Sequence, residues 1–371
     1  MTVLVAPDKF KGSLTARQGV EHLGQGLADR GVAYRGLPLA DGGDGSVAAA
    51  IDAGFTGVEL AAAGPTGDPH RGLIALDGRT AVVEVAGTCG LVALPGGTLE
   101  PLRSSTRGVG LAARAALERG ATRVVLAAGG SASTDGGAGL LDGFGVVFRD
   151  REGRAFHPDG GRVADVAVVD TAALLDLRGV EIMVASDVRN TLFEAAAVYG
   201  PQKGATPAQV DLLNAGLRHL VDRLAAAGFA RAAELAEVPG SGSAGGLGFA
   251  GLLLGGRIVE GAEFFLDLLN FDAAVQDCDV VITGEGRMDS QTREGKLPAA
   301  VARRSGDRPV IAVVGRSDVD QADLDLLGID QVYALTDRTH ADPARDPALS
   351  AQLLRDLGRT IPLRANPSLR H

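Results

Sequence analysis

The sequence predicts an α/β protein of two domains, a parallel-sheet domain formed from both ends of the chain and a mixed α/β domain inserted between them. Three observations predict it. Short apolar runs of strand length are repeatedly followed by a polar, glycine-bearing loop and a helix-like segment, the βα alternation of parallel sheets. That texture is shared by the N-terminal stretch and by everything from Asp279 onward. Between them, Gly64-Pro65-Thr66-Gly67-Asp68-Pro69-His70 breaks the pattern with turn residues and leads into a hairpin signal. A chain of 371 residues has room for two domains or one large one. Residues 1–65 and 278–371 are therefore assigned to the discontinuous domain, and residues 66–277 to the insert.

Thr2 to Pro7 reads as the first strand, and Thr15 as the N-cap of a helix running to about Arg30, stopped by Gly31. Tyr34 to Leu39 is a second strand, leaving through Asp41-Gly42-Gly43-Asp44-Gly45 into the helix Val47 to Ala53. Ile74 to Leu76 and Ala81 to Val85 form a hairpin pair around Asp77-Gly78. Ser105 or Thr106 caps a helix to about Arg119, and Arg123 to Ala127 is a buried strand. The helix Ala138 to Phe144 and the strands Val146 to Phe148 and Val180 to Ala185 follow. Beyond a short helix, Thr191 to Tyr199, Pro207 opens a long amphipathic helix to about Ala227, whose Leu212, Leu213, Leu217, Leu220 and Leu224 recur at helical spacing and are expected in the core. Gly246 to Leu254 is helical, and Asp279 to Thr283, Val310 to Val314 and Gln331 to Leu335 are strands.

Composition excludes several functions. Net charge is −10, against nucleic acid as the main partner. The longest glycine-interrupted apolar stretch, Leu247 to Leu254, is too short to cross a bilayer, and no signal peptide is recognised, so a soluble, cytoplasmic protein without membrane partners is expected. Cys89 and Cys278 stand in apolar settings and are expected to be reduced and buried. No His or Cys spacing suits zinc, and there is no nucleophile elbow.

The chemistry gathers in polar loops. Val280-Val281-Ile282 delivers Thr283-Gly284-Glu285-Gly286-Arg287, then Asp289, Ser290, Gln291, Thr292 and Lys296, just beyond the carboxyl end of a strand, where ligands bind in open α/β sheets. Gly129-Gly130-Ser131-Ala132-Ser133-Thr134-Asp135-Gly136-Gly137 leads into a helix N-terminus, and its small residues and hydroxyls make an anion cradle. Of 36 basic residues only Lys9, Lys11, Lys203 and Lys296 are lysines, and all four lie beside such loops. A compact ammonium suits a phosphate site where a planar guanidinium does not. Gly240-Ser241-Gly242-Ser243-Ala244-Gly245 matches G-x-G-x-x-G, but Arg231 to Glu237 before it is helix-like, so the dinucleotide context is missing.

Taken together these motifs resemble the type I glycerate kinase family. The matching stretches are Ala6 to Leu14, Asp41 to Gly45, Gly129 to Gly139, Gly200-Pro201-Gln202-Lys203-Gly204-Ala205-Thr206 and Ile282 to Asp289. The resemblance implies ATP-dependent phosphorylation of D-glycerate with Mg²⁺, 2-phosphoglycerate being the expected product. It also implies that the discontinuous domain is flavodoxin-like. This chain departs from the family in carrying Asp44 for a usual Glu, Ser186 for Cys and Arg189 for Thr, with a shortened segment up to Tyr199.

Such a kinase must hold a carboxylate, orient a hydroxyl and offset phosphoryl charge. Asp187, Lys11, Lys203 and Asp8 are the catalytic candidates, with Asp187 as base or hydroxyl-orienting group. Lys9, Ser13, Asp41, Arg71, Asn190 and Arg287 are assigned to substrate, Arg71 or Arg287 as a bidentate clamp. Gly129, Gly130, Ser131, Ser133, Thr134, Asp135, Gly284, Glu285 and Lys296 are assigned to ATP, and Asp289 and Glu285 to the metal. The rival readings are a non-catalytic nucleotide or organic-acid sensor and an NAD(P)-dependent hydroxy-acid dehydrogenase. Both monomer and homodimer remain open.

Overall fold

The protein is described by a computed structural model covering residues 1–289 and 297–364. The chain forms two compact units: Met1–Asp41, Ala48–Ala53 and Ala262–His371 make the first, Gly42–Val47 and Gly54–Gly261 the second.

The first unit is built on a sheet of five strands, every neighbouring pair parallel. In chain order these are Thr2–Pro7, Ala33–Gly36, Val280–Met288, Val310–Ser317 and Gln331–Ala334, and they lie side by side as 2-1-3-4-5, the flavodoxin-like order. Val3, Leu4 and Val5 face Val280, Val281 and Ile282 in register, so the two chain ends meet at the sheet centre as expected. Their unbroken apolar runs are what a strand buried on both faces requires. Val5, Ile282 and Val313 are buried with Leu23, Leu27, Leu354 and Leu357 in one core, each such side chain stabilising by about 1.5–3 kcal/mol. The second strand is shorter than Tyr34 to Leu39, yet the Leu37 and Leu39 N–H groups still donate to the Val5 and Pro7 carbonyls, at 2.9 Å each. Thr15 caps the helix Ala16–Ala28 through a reciprocal box with Gln18.

The second unit holds a six-stranded sheet. Arg257–Val259, Glu181–Ala185, Arg123–Ala127 and Thr80–Glu84 run parallel, and Pro69–Asp77 and Thr56–Ala63 continue it antiparallel to one edge. A small antiparallel sheet joins Ala155–Phe156, Val147–Arg149 and Val168–Asp170. Of the five leucines expected in the core from the long helix, Pro207–Ala226, the fold buries Leu213, Leu217, Leu220 and Leu224 and leaves Leu212 exposed.

Both expected boundaries move. Thr56–Ala63, which carried no strand signal, pairs along its whole length with Pro69–Asp77 and so belongs to the second unit. Its alanines have weak strand propensity; neighbours in the sheet decide the matter. At the other boundary, helices Gly261–Leu268 and Phe271–Gln276 are tied to the first unit's helix Leu297–Arg304. Arg304 reaches Asp267 at 2.6 Å and Asp272 at 2.7 Å, and Arg303 reaches Glu263 at 2.7 Å. Among the described residues no helix is long and apolar enough to cross a membrane. Cys89 and Cys278 are free and buried.

Candidate active site

In the second unit, four loops converge at the carboxyl ends of the parallel strands. Ala128 N–H donates to the Ala185 carbonyl at 3.1 Å, and Gly129 N–H to the Gly42 carbonyl at 3.2 Å. A Cβ on Gly129 would lie 2.5 Å from Gly43 Cα, so only glycine allows this approach. The Gly240–Gly246 stretch closes the cluster: Gly240 and Gly242 donate to the Asn190 carbonyl at 3.2 and 3.0 Å, and Gly136 donates to the Gly245 carbonyl at 2.9 Å. Ala244 takes a left-handed φ of 49°, a cost a non-glycine residue bears only where its surroundings fix it. No strand precedes the stretch; helix Ala232–Ala236 does, which removes the dinucleotide context.

Lys203 lies inside this cluster. Its ammonium donates to Ser131 Oγ at 2.9 Å and to the Ser133 carbonyl at 2.5 Å. Burial pulls its pKa down to about 8, and the Asp135 charge offsets part of that pull. Asp135 is completely buried, and burial pushes its carboxyl above the ordinary range. Pulling the other way, Oδ2 accepts from Thr106 N at 2.7 Å, Thr106 Oγ1 at 2.8 Å and Gly139 N at 3.1 Å, and Oδ1 from Gly137 N at 3.1 Å. One carboxylate thus satisfies N–H groups at the starts of two helices, Arg107–Glu118 and Ala138–Gly143. Of the two expected caps, Ser105 Oγ accepts from Arg107 N–H at 3.3 Å while Thr106 caps nothing in this helix, and Asp135 takes the Thr106 N–H. Asp135, read from sequence as an ATP contact, is the keystone of the cradle. Ser133 and Thr134 are buried with it, and Thr134 Oγ1 has no hydrogen-bond partner.

Asp187 follows the Glu181–Ala185 strand, half-buried, with Oδ1 accepting from Gly261 N at 2.7 Å. Asn190 Oδ1 accepts from Tyr199 Oη at 2.6 Å, and its carbonyl holds the glycine loop, so Asn190 organises backbone around Asp187. Sequence reasoning missed Glu84. Its Oε2 accepts from Gly45 N at 3.1 Å and Val47 N at 3.0 Å, anchoring the Gly42–Val47 loop. The signal was present: a lone carboxylate in the apolar run Ala81 to Ala86. Arg71 is not drawn into this cluster; it sits on the edge hairpin, 88% exposed, 3.4 Å from Glu59.

In the first unit, the Asp8–Ser13 loop lies at the switch point between the Thr2–Pro7 and Val280–Met288 strands, where doubly wound sheets bind ligands. Asp8 N–H donates to the Gly284 carbonyl at 2.8 Å, and a Cβ on Gly286 would fall 2.7 Å from Lys11 N. Lys9 Nζ is 3.7 Å from the buried Asp8 carboxylate, and Ser13 Oγ donates to the Phe10 carbonyl at 3.1 Å. The strand therefore brings Gly284 beside Asp8 and Gly286 beside Lys11. Asp41 ends the first segment of this unit, half-buried. Arg287 already grips a protein carboxylate: its Nε and Nη2 reach Asp318 Oδ2 at 2.8 and 2.7 Å. Arg316 and Arg287 together hold the Asp318 carboxyl below the usual range. Lys296, with Ser290 to Thr292, lies outside the described residues.

Glu285 within the strand and Asp289 just after it are hard oxygen donors of the kind Mg²⁺ takes, an ion that needs only one or two carboxylates and fills its shell with phosphate and water. Among the described residues no three His, Cys, Asp or Glu side chains cluster as an all-protein metal cage.

Comparison with known proteins gives the family. The glycerate kinase family model matches residues 3–361. A glycerate kinase of Bacillus subtilis (strain 168) is 40% identical over 348 residues, 90% of each chain. A glycerate 2-kinase of Escherichia coli (strain K12) is 36% identical over 348 residues, again 90% of each. A crystal structure of a candidate glycerate kinase 2 from Salmonella typhimurium LT2 superposes with a TM-score of 0.81 at 34% identity, covering 97% of this chain and 96% of that one. The flavodoxin-like first unit, the loops at its switch point and a family match from end to end have one conclusion: the chain belongs to the glycerate kinase family.

Proposed function

We propose that the protein transfers the terminal phosphoryl group of ATP to a hydroxyl of D-glycerate, giving 2-phosphoglycerate, in the cytoplasm. The match of nearly its whole length to glycerate kinases carries this reading. Kinase membership implies ATP; the choice of hydroxyl follows the E. coli relative, which is named a glycerate 2-kinase.

Phosphoryl transfer asks a protein for positioning and for cations where charge develops. In the second unit we assign the Gly129–Asp135 loop to phosphate binding through Gly129, Gly130, Ser131 and Ser133. Lys203 tightens that loop, and Thr134 Oγ1 is an unused hydrogen-bonding group within it. Asp187 is assigned to the acceptor hydroxyl, because Gly261 N–H engages Oδ1 and fixes the carboxylate while Asn190 holds the loop around it. In the first unit, Lys9, Lys11 and Ser13 are assigned to anionic groups, with Asp8 orienting Lys9. Glu285 and Asp289 would hold Mg²⁺, which neutralises phosphate charge when bound. Asp41 remains a substrate candidate; Arg71 and Arg287 would have to leave Glu59 and Asp318 to serve as clamps.

Phosphorus NMR of the product formed from D-glycerate and ATP tests the reading. A new 2-phosphoglycerate resonance together with ADP supports it. A 3-phospho product corrects the position, and ATP left intact at saturating D-glycerate removes the kinase activity.

A further inference from the structure

The edge of the six-stranded sheet carries one of the usual guards, the charge of Glu59, and few of the others. Sheet edges are normally blunted by lysines, prolines, bulges or short strands, because open backbone groups template pairing with another chain. Thr56–Ala63 is eight residues long, contains neither Lys nor Pro, and pairs with Pro69–Asp77 in unbroken register. Its inward face is filled, with Leu60 buried and Val58 and Ala62 packed on the core. Its outward face carries Gly57, Glu59 and Ala61, all exposed.

We propose that this strand is the interface of a homodimer, two copies pairing edge to edge, antiparallel, about a two-fold axis at Leu60. Charge selects both the occupant and the register. An axis at Glu59 would set two carboxylates directly opposite one another, which is unfavourable. An axis at Leu60 sets Glu59 of each copy opposite Ala61 of the other. Beyond Ala61, on the next strand, stands Arg71, its register partner. The small Ala61 lets the Arg71 side chain lie across it towards the other copy's Glu59, two strand spacings or about 10 Å between backbones. The contact occurs twice by symmetry, as an isologous interface demands. Within one copy, Glu59 and Arg71 are 71% and 88% exposed at 3.4 Å, a weak surface pair free to exchange partners. Leu60 meets Leu60 on the inner face.

Sedimentation and native mass spectrometry of the full chain test this, with amide hydrogen exchange as an independent measurement. The wild type should run as a dimer, and Val58 to Ala62 amides should lose protection when it is diluted to monomer. Glu59→Arg and Arg71→Glu should each weaken the dimer about tenfold or more, and the double reversal should restore it. A monomeric wild type overturns the proposal. So does a dimer whose Val58 to Ala62 exchange ignores dilution, or one the single reversals leave intact.

Discussion

The Lys203 ammonium donates to the Ser131 hydroxyl at 2.9 Å across 72 residues of chain, so a cation from one loop braces the cradle formed by another. The bond sits in a buried place where charge is costly, and the pKa falls to about 8. Above that value the folded protein has released a proton that the unfolded chain keeps until near ~10.4. The unfolded state then binds more protons, so this group's contribution to stability rises with pH from about 8 upward. Activity should move the opposite way. We expect kcat/KM to fall through an apparent pKa near 8, and Lys203→Met to abolish that limb at a much lower rate. A wild-type profile flat from about pH 7 to pH 9 would exclude Lys203 as the cation the reaction needs.

Asp135→Asn should act on stability. The amide offers a donor where Asp135 now accepts from Thr106, Gly137 and Gly139, leaving at least one buried N–H facing another. A loss of ~2–3 kcal/mol in denaturant unfolding is expected, with turnover per folded molecule reduced far less. An unchanged unfolding midpoint paired with a collapse of ATP affinity would return Asp135 to the ligand.

Asp187→Asn preserves the Oδ1 that accepts from Gly261 and removes the charge. Folding and ATP affinity should survive while turnover falls about 10²–10⁴-fold, the usual worth of a positioned base. If saturating substrates reveal a deficit below about threefold, Asp187 serves the loop and not the chemistry.

Gly286→Ala should dislodge the lysine loop. The new methyl would sit 2.7 Å from Lys11 N, a backbone atom that yields only if the whole Asp8–Ser13 segment shifts. Displacement by about 1 Å at a catalytic group can cost 10²-fold, so kcat/KM should drop by at least about tenfold. Lys11→Ala should produce a loss of the same kind with little change in stability. Wild-type kinetics for Gly286→Ala would mean the loop is not held where its cations matter.

The parallel sheet and the loops at its strand ends were legible in sequence because both rest on short-range signals. Apolar runs such as Val280 to Ile282 announce buried strands, and Gly284 and Gly286 mark close backbone approach. Partnership was harder to read. Nothing local in Thr56 to Ala63 specifies a strand; Pro69–Asp77 supplies that information from across the hairpin. For the same reason sequence assigned Asp135 and Arg287 to ligands by chemical type, while their contacts within the chain, to Thr106 and Asp318, could not be read locally. A carboxylate or guanidinium advertises what it can bind, and only distant neighbours determine what it does bind.

The central strand of the first unit also imposes an order of events during synthesis. Thr2–Pro7 leaves the ribosome well before its partner Val280–Met288, to which it is joined by contacts such as Thr2 to Asp279, 277 residues away. At ~5–20 residues per second that wait lasts on the order of 15 to 60 seconds, long enough for the second unit to be complete first. Through that interval the Val3-Leu4-Val5-Ala6 segment has only Ala33–Gly36 beside it, and its other edge is open to any strand that meets it. Slower translation through residues 42–261 would lengthen that exposure.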